Sequence, residues 1–344
     1  MIINKKGGFI MKVFVTGVAG FLGSHVADRL LDLGYDVVGV DNLDGGFIEN
    51  VNPKVELYIE DCNNLDKMNE YIKGCDIVFH AACTAPDGFS FYAPFYITKN
   101  TYQNTMSVLS ASINNNVKKF IYCSSMARYG NQPNLPYTED MECFPVTPYA
   151  VAKYASELTI KQLCELNHIY YTIIVPHNIY GPRQNYTDPY RNVAAIMINK
   201  MLKEEQPIIN GDGEQKRCFS YIDDCVNCIE NVIIQDNLNG EIINIGPDEE
   251  FISINELATM IAEILDFKLD PVYVKDRPKE VKQAICSSDK ARELLEYETK
   301  TTMREGLEEL VKYIKERGPR DFQYNYEIEI NNGYTPKTWT KKLF

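Results

Sequence analysis

The stretch that most restricts what this chain can become is Lys12-Val13-Phe14-Val15-Thr16 running into Gly17-Val18-Ala19-Gly20-Phe21-Leu22-Gly23. The first five residues have the apolar, β-branched make-up of a buried strand. Ser24 to Leu33 then reads as a helix. Strand, glycine turn and helix in that order form the context of a dinucleotide-binding βαβ unit. Gly17 permits the sharp turn, and Gly20 lets the backbone approach a pyrophosphate at the helix N-terminus. Gly23 lets helix and strand pack closely. A second strand, Asp36 to Val40, ends in Asp41, 18 residues after Gly23. An acid there accepts hydrogen bonds from the adenosine ribose and repels a 2′-phosphate. Asn42 and Leu43 supply no arginine to offset that repulsion. The expected cofactor is therefore NAD rather than NADP.

A second informative stretch is Thr147-Pro148-Tyr149-Ala150-Val151-Ala152-Lys153. Thr147 suits a helix N-cap and Pro148 the first helical position. Val151, Ala155, Leu158 and Leu163 recur at helical spacing. Tyr149 and Lys153 share one helical face. An ammonium beside a phenol favours the phenolate and lowers a pKa that starts near 10. Tyr149 is thus an acid/base candidate. Upstream, the strand Lys119 to Cys123 ends in two hydroxyls, Ser124 and Ser125.

Composition narrows the alternatives. The chain has 344 residues, 45% of them hydrophobic, enough for one large domain or two joined ones. A formal charge of −13 argues against holding nucleic acid or an anionic membrane by bulk charge. No run is apolar and long enough to span a membrane. Met1 to Ile10 lack the apolar core of a signal peptide and read as a leader with no catalytic part, ahead of Met11. The ten cysteines are scattered, and the pair Cys225-x-x-Cys228 has no second pair to complete a zinc site. No metal is expected; both cysteines read as small buried hydrophobes, and reduced cytoplasmic thiols are the simplest picture.

The glycine spacing G-x-x-G-x-x-G resembles that of the extended short-chain dehydrogenase/reductase family. The later motifs resemble its nucleotide-sugar epimerase/dehydratase group, and the likeness covers roughly residues 11 to 317. It implies an α/β fold: a Rossmann doubly wound parallel sheet with a smaller C-terminal substrate domain. Residues 11–176 would be mainly NAD-binding and 177–317 mainly nucleotide-sugar-binding, with the chain crossing between the two. Residues 318–344 extend past the usual family end and hold the single tryptophan, Trp339. They read as a packed or disordered tail, a cover for the pocket, or a contact to a second subunit.

The resemblance also implies roles. Phe21 and Leu22 belong to the pyrophosphate turn, and Asn42 stands beside the ribose acid. Asp61, followed by Cys62, would meet the adenine. The Ala81-Ala82 backbone would pass under the cofactor, behind His80, which reads as a packed structural residue. Asn100 would start a helix through Asn115, and Pro176 would close the cofactor side. Ser125 would bond the substrate hydroxyl and complete a Ser-Tyr-Lys trio with Tyr149 and Lys153. Thr84 and Met126 would line the substrate side. Asn178, in Asn-Ile-Tyr-Gly-Pro-Arg-Gln, would hold the substrate's diphosphate side. Arg217 and Arg277 would pair with the diphosphate, and Glu280 would meet the nucleoside ribose. Three positions depart from the family pattern: Val175 for an arginine, Cys218 for an aspartate, Lys279 for a glycine.

The chemistry implied is oxidation at C4 of a nucleotide-activated sugar, a GDP- or UDP-linked hexose or heptose. Dehydratases and decarboxylases of the family carry a glutamate two positions after the serine or threonine, often with an aspartate between. Here those positions are Met126 and Ala127. Two outcomes remain: release of the 4-keto sugar by a 4-dehydrogenase, or re-reduction to the 4-epimer. The alternatives are a 4,6-dehydratase or 3,5-epimerase using Cys83 or His177 as an atypical acid/base, or a non-enzymatic NAD-binding sensor. A sensor has no need of the trio and the two arginines. The Lys-, Asn- and Ile-rich composition resembles that of bacterial capsule or surface-polysaccharide enzymes, including those acting on GDP-activated heptose. Family members pair through the helices that here are Asn100–Asn115 and Tyr149–Asn167, so a homodimer is expected.

Overall fold

Seven parallel strands form the centre of the molecule, in the order Ile242–Ile245, Tyr170–Pro176, Lys119–Cys123, Ile77–His80, Lys12–Thr16, Asp36–Asp41 and Glu56–Ile59. The computed structural model describes residues 11–277 and 279–344. The leader read at residues 1–10, and Pro278, lie outside the described residues. Both sheet faces are covered, which is why the strands read as unbroken apolar runs. Alternate residues serve opposite faces. Val13, Val15, Ile77, Phe79 and Ile121 face one core, shared with helices Phe21–Asp32 and Ile222–Ile234. Phe14, Val38, Val78, Phe120 and Tyr122 face the other, which includes residues of helices Leu65–Tyr71, Asn104–Asn114 and Pro148–Asn167. The doubly wound parallel sheet is thus the one expected. Its strand order reverses between Lys12–Thr16 and Ile77–His80, and a ligand crevice opens at such a switch point.

The smaller C-terminal unit packs helices Val193–Leu202, Ile254–Leu265 and Met303–Arg317 together. Short strands join it: Lys216–Arg217 pairs with Ile252–Ser253 and with Gln283–Ala284. Capping boxes start two of its helices, Ser253 with Glu256 and Thr302 with Glu305. Helix Ile222–Ile234 and strand Ile242–Ile245 return to the large sheet although they follow residue 176.

One helix begins earlier than its sequence suggests. It starts at Pro94 rather than Asn100, runs to Thr98, passes a wide turn at Lys99–Gln103 and continues as Asn104–Asn114. Its first turn is capped from far away: the Glu329 carboxylate accepts the Phe95 and Tyr96 amides at 2.8 Å each.

Glu329 belongs to the C-terminal tail, which packs across both units. The Glu329 and Ile330 amides bond the Tyr92 carbonyl, and the Gln323 amide bonds the Thr187 carbonyl. Trp339, 2% exposed, packs edge-on against Phe89, Tyr92 and Tyr190. Replacing Trp339 with alanine should remove about 3–5 kcal/mol of packing from this anchor. Limited proteolysis of Trp339→Ala should then trim the tail and spare the sheet. A wild-type digestion pattern would show that the tail docks without it.

Candidate active site

The glycine turn closes tightly on itself. A Cβ at Gly23 would lie 2.1 Å from the Gly17 carbonyl oxygen, so helix Phe21–Asp32 can approach its strand only with glycine there. Gly17 itself has φ +71° and stands against the Ala82 backbone. Asp41, 7% exposed, ties this turn to the next loop: its carboxylate accepts the Ala19 amide at 2.9 Å and the Leu43 amide at 2.8 Å. Burial pushes its carboxyl above the usual range, against those two hydrogen bonds. Asp41 therefore has a structural task besides the expected ligand role. A carboxylate offers about four acceptor sites in all, so two amides do not exhaust it.

A buried chain of hydroxyls fixes the platform on the far side of the switch point. Thr16 Oγ1 accepts the Ala81 and Ala82 amides at 3.1 Å each and reaches His80 Nδ1 at 2.8 Å. Thr105 Oγ1 lies 2.9 Å from His80 Nε2 and donates to the Thr101 carbonyl. The arrangement is satisfied when Thr16 donates to Nδ1 and Nε2 carries the proton. Burial pushes His80 down to about 3, so it stays neutral and structural. Asn104 donates to the Ala82 carbonyl at 3.0 Å. At the adenosine side Asn63 links Asp61 to Asn100, with bonds of 2.8 and 3.0 Å.

The helix expected to be catalytic, Pro148–Asn167, is capped by Thr147, whose hydroxyl accepts the Ala150 amide. Thr147 in turn donates to Asp87, a half-buried acid that lines the cleft. The buried face of this helix carries Tyr149, Lys153, Ser156, Glu157, Ile160 and Cys164. The apolar stripe noted in the sequence points outward, with Val151 51% and Leu158 46% exposed. Lys153 Nζ donates to the Cys123 carbonyl at 2.8 Å and stands over the Tyr122 ring. Ser125 caps the short turn Met126–Tyr129, its Oγ accepting the Ala127 amide at 3.2 Å. That bond leaves the Ser125 proton to be donated to a ligand.

The smaller unit adds to the expected substrate side. Asn178 donates to the Cys218 carbonyl at 2.8 Å and packs on Met126. Arg217 donates to Glu280 at 3.0 Å and to the Val281 carbonyl at 2.6 Å. Arg277 lies over the Trp339 ring, 5.7 Å from its centre. The sequence had no signal for that contact.

One cleft brings the expected residues together. Gly17, Gly20, Phe21, Leu22, Asp41, Asn42, Asp61, Cys62, Ala81, Ala82, Asn100 and Pro176 line one part of it. Thr84, Ser125, Met126, Tyr149, Lys153, Asn178, Arg217, Arg277 and Glu280 line the rest. Cys83 lines it too, whereas His177 is fully buried outside the lining and burial pushes it down to about 4. An acid/base role for His177 has no geometry behind it. Arg128 and Glu157, missed in the sequence, form a buried ion pair at 3.1 Å, and Ser124 donates to Glu157. They tie the Ser124–Tyr129 segment to the catalytic helix from behind. All ten cysteines are free, and among the described residues no cluster of acids, cysteines or histidines suits a metal ion.

Residues 13–246 match the NAD dependent epimerase/dehydratase family. The chain belongs to that family. A putative UDP-glucose 4-epimerase of Methanocaldococcus jannaschii is 35% identical over 88% of this chain and 98% of its own. A solved UDP-glucose 4-epimerase of Thermotoga maritima, with UDP-glucose, superposes with a TM-score of 0.83 at 33% identity, over 89% of this chain and 99% of that one. A UDP-glucuronic acid 4-epimerase of Bacillus cereus, in complex with UDP-glucuronic acid and NAD, gives 0.83 at 31% identity, over 90% and 100%.

NAD is the cofactor of this family member. The glycine cradle fits it, because a side chain at Gly23 would collide with the Gly17 carbonyl, and one at Gly17, at φ +71°, would be strained and crowded against the Ala82 backbone. When bound, NAD supplies a hydride acceptor and a positively charged ring. Tyr149, 5% exposed, needs such a charge. Burial pushes its phenol up, Cys83 adds to the rise, and Lys153 pulls it back only in part. The lysine alone therefore does not bring the phenol near neutrality, contrary to the expectation from spacing. A base that works as phenolate is fully active above its pKa and loses activity as pH falls through it. In a pH–kcat profile, Lys153→Met should move the acidic limb upward, because it removes the protein charge that opposes the rise. Tyr149→Phe should cost about 10²–10⁴-fold in kcat. An unmoved limb in Lys153→Met would refute the electrostatic role given to Lys153.

Proposed function

We propose that this chain is a UDP-sugar 4-epimerase. The supporting observation is the cleft in which Ser125, Tyr149 and Lys153 stand at the switch point, with Met126 and Ala127 where an acid for elimination or decarboxylation would have to be. Tyr149 takes the C4 hydroxyl proton as hydride leaves C4. Ser125 holds the same oxygen. Once the ketone has turned and hydride has returned to its other face, Tyr149 gives the proton back. Atoms and charge balance without a second substrate, which separates this reading from a 4-dehydrogenase. Uridine, rather than guanosine, is the nucleoside named with the related structures, and it is the one proposed. Arg217 and Arg277 would hold the diphosphate by charge-assisted bonds.

The outward stripe supports a second-copy contact. Val151 and Leu158 are half exposed on the catalytic helix, and Phe95, at the start of the neighbouring helix, is 75% exposed. Two such helices from each copy would make a four-helix interface. No described helix is long and apolar enough to cross a membrane. Free thiols throughout suit a reducing compartment such as the cytoplasm.

Incubating the protein with UDP-glucose, UDP-N-acetylglucosamine and UDP-glucuronate, followed by NMR and mass spectrometry, tests the chemistry. The expected product is a 4-epimer of unchanged mass with no build-up of NADH. Loss of water or carbon dioxide, or stoichiometric NADH, would overturn the proposal. In light scattering, Leu158→Glu should convert a dimer to monomers; a monomeric wild type would refute the interface.

A further inference from the structure

Two pyrophosphates must be accommodated in this cleft, and the cations that line it fall into separate groups. Arg217 and Arg277 stand with Glu280 and Asp87 at the substrate end. Lys279 adjoins them in sequence, and Lys153 serves Tyr149. The cofactor end is acidic by contrast: Asp41, Asp44, Glu60 and Asp61 all line it, and the turn Gly17–Gly23 carries no basic residue. A dinucleotide pyrophosphate placed there meets the helix N-terminus and a rim of carboxylates. Partial charge at a helix end is about half a unit, which does not balance that rim.

Arg191 is the remaining cation of the cleft lining, and it stands beside this turn. A Cβ at Gly45 would lie 3.1 Å from Arg191 Nη2, and one at Gly46 would lie 2.7 Å from the Gly20 amide nitrogen and 2.5 Å from Ala19 carbonyl atoms. Two consecutive glycines thus form a thin strip between the guanidinium and the turn. A side chain at Gly46 would collide with the turn, and one at Gly45 would crowd the guanidinium. Arg191 Nε donates to Asp188 at 3.0 Å, and Asp188, 4% exposed, is itself fixed by the Tyr190 amide at 2.8 Å. The guanidinium is therefore aimed through one edge while its other nitrogens remain available to an anion. Tyr326 of the tail closes the arrangement. Its hydroxyl would lie 3.9 Å from the same Gly45 Cβ, and its ring packs on Tyr96, whose hydroxyl donates to Asp44 at 2.7 Å.

We propose that Arg191 binds the pyrophosphate of the dinucleotide and that the C-terminal tail, through Tyr326, holds the Asp44–Gly46 strip and the guanidinium closed over it. The cofactor is then clasped from the side opposite the glycine turn by residues that follow the sheet in sequence.

Titrating NADH by its fluorescence, with no sugar present, tests this independently of which sugar is turned over. Arg191→Met should weaken NADH binding about 10- to 100-fold, the loss of a charge-assisted contact. UDP binding should stay within about two-fold of wild type, which also reports that the variant is folded. Arg191→Lys should recover part of the NADH affinity, and Arg277→Met should show the reverse pattern, losing UDP and keeping NADH. Tyr326→Phe should speed NADH dissociation in stopped flow. Wild-type NADH affinity in Arg191→Met, or a loss confined to UDP, would overturn the assignment of Arg191. An unchanged dissociation rate in Tyr326→Phe would overturn the part given to the tail.

Discussion

A buried ammonium determines how the two halves of the proposed catalytic trio meet. Lys153 is 2% exposed, and a charge in such a place is costly unless it is satisfied. It is satisfied by the Cys123 carbonyl and the face of Tyr122, both on the fifth strand of the sheet in sequence order. The catalytic helix therefore has one workable position against that strand. Tyr149, four residues before Lys153 on the same face, and Ser125, two residues past Cys123, are brought to one cleft as a consequence. The Glu157–Arg128 pair and the Ser124 hydroxyl lock the same two elements from behind. Arg128 is further packed between the rings of Tyr129 and Tyr154. Polar residues and packing share one face of the helix, where Lys153, Ser156 and Glu157 stand among Ile160 and Cys164, while Val151 and Leu158 are left outside.

That division explains where sequence reading succeeded and where it failed. The strand–glycine–helix start is local, and each of its residues is dictated by its immediate neighbours, so it is legible in a window of twenty residues. So is the Thr147 cap. The sheet strands are legible because both faces are covered and no alternation blurs them. The stripe Val151, Ala155, Leu158 was equally visible, but spacing alone cannot say whether it meets the core or a partner. The helix beginning at Pro94 was missed because its cap, Glu329, lies more than two hundred residues away. Arg128 and Glu157, Arg191 and Asp188, and the Trp339 cluster are all contacts made by tertiary structure. Arg191 in particular sits in an irregular stretch whose only close regularity is an aspartate three residues earlier.

Electrostatics in the cleft follow the same logic of competing local terms. Asp41 is held above its usual range by burial, although two amides bond it and oppose the rise. Tyr149 is held up by burial although a lysine faces it. In both cases burial outweighs the groups that favour the charged form. The acid rim at the cofactor end and the arginines at the substrate end give the cleft opposite polarity along its length. Under the proposed assignments Arg217 and Arg277 would attract the pyrophosphate of the nucleotide sugar, and that of the dinucleotide would meet the glycine-turn amides and Arg191.

The tail places one aromatic residue at each end of that cleft: Trp339 under the Arg277 guanidinium, Tyr326 beside Arg191 and the Gly45 strip. Both belong to one segment, anchored on Tyr92 by two backbone hydrogen bonds and on the helix at Pro94 by Glu329. Lifting that segment would cost both contacts together, so the surroundings of the two arginines are mechanically linked, although under the proposals each arginine serves a different ligand. For the proposed 4-epimerase the linkage would have a direct use. The ketone must turn over without leaving, and the reduced cofactor must wait for it. A single closure that covers the nucleotide-sugar end and the dinucleotide end serves both requirements, whereas a dehydrogenase that exchanges its cofactor every turnover would have to break it each time.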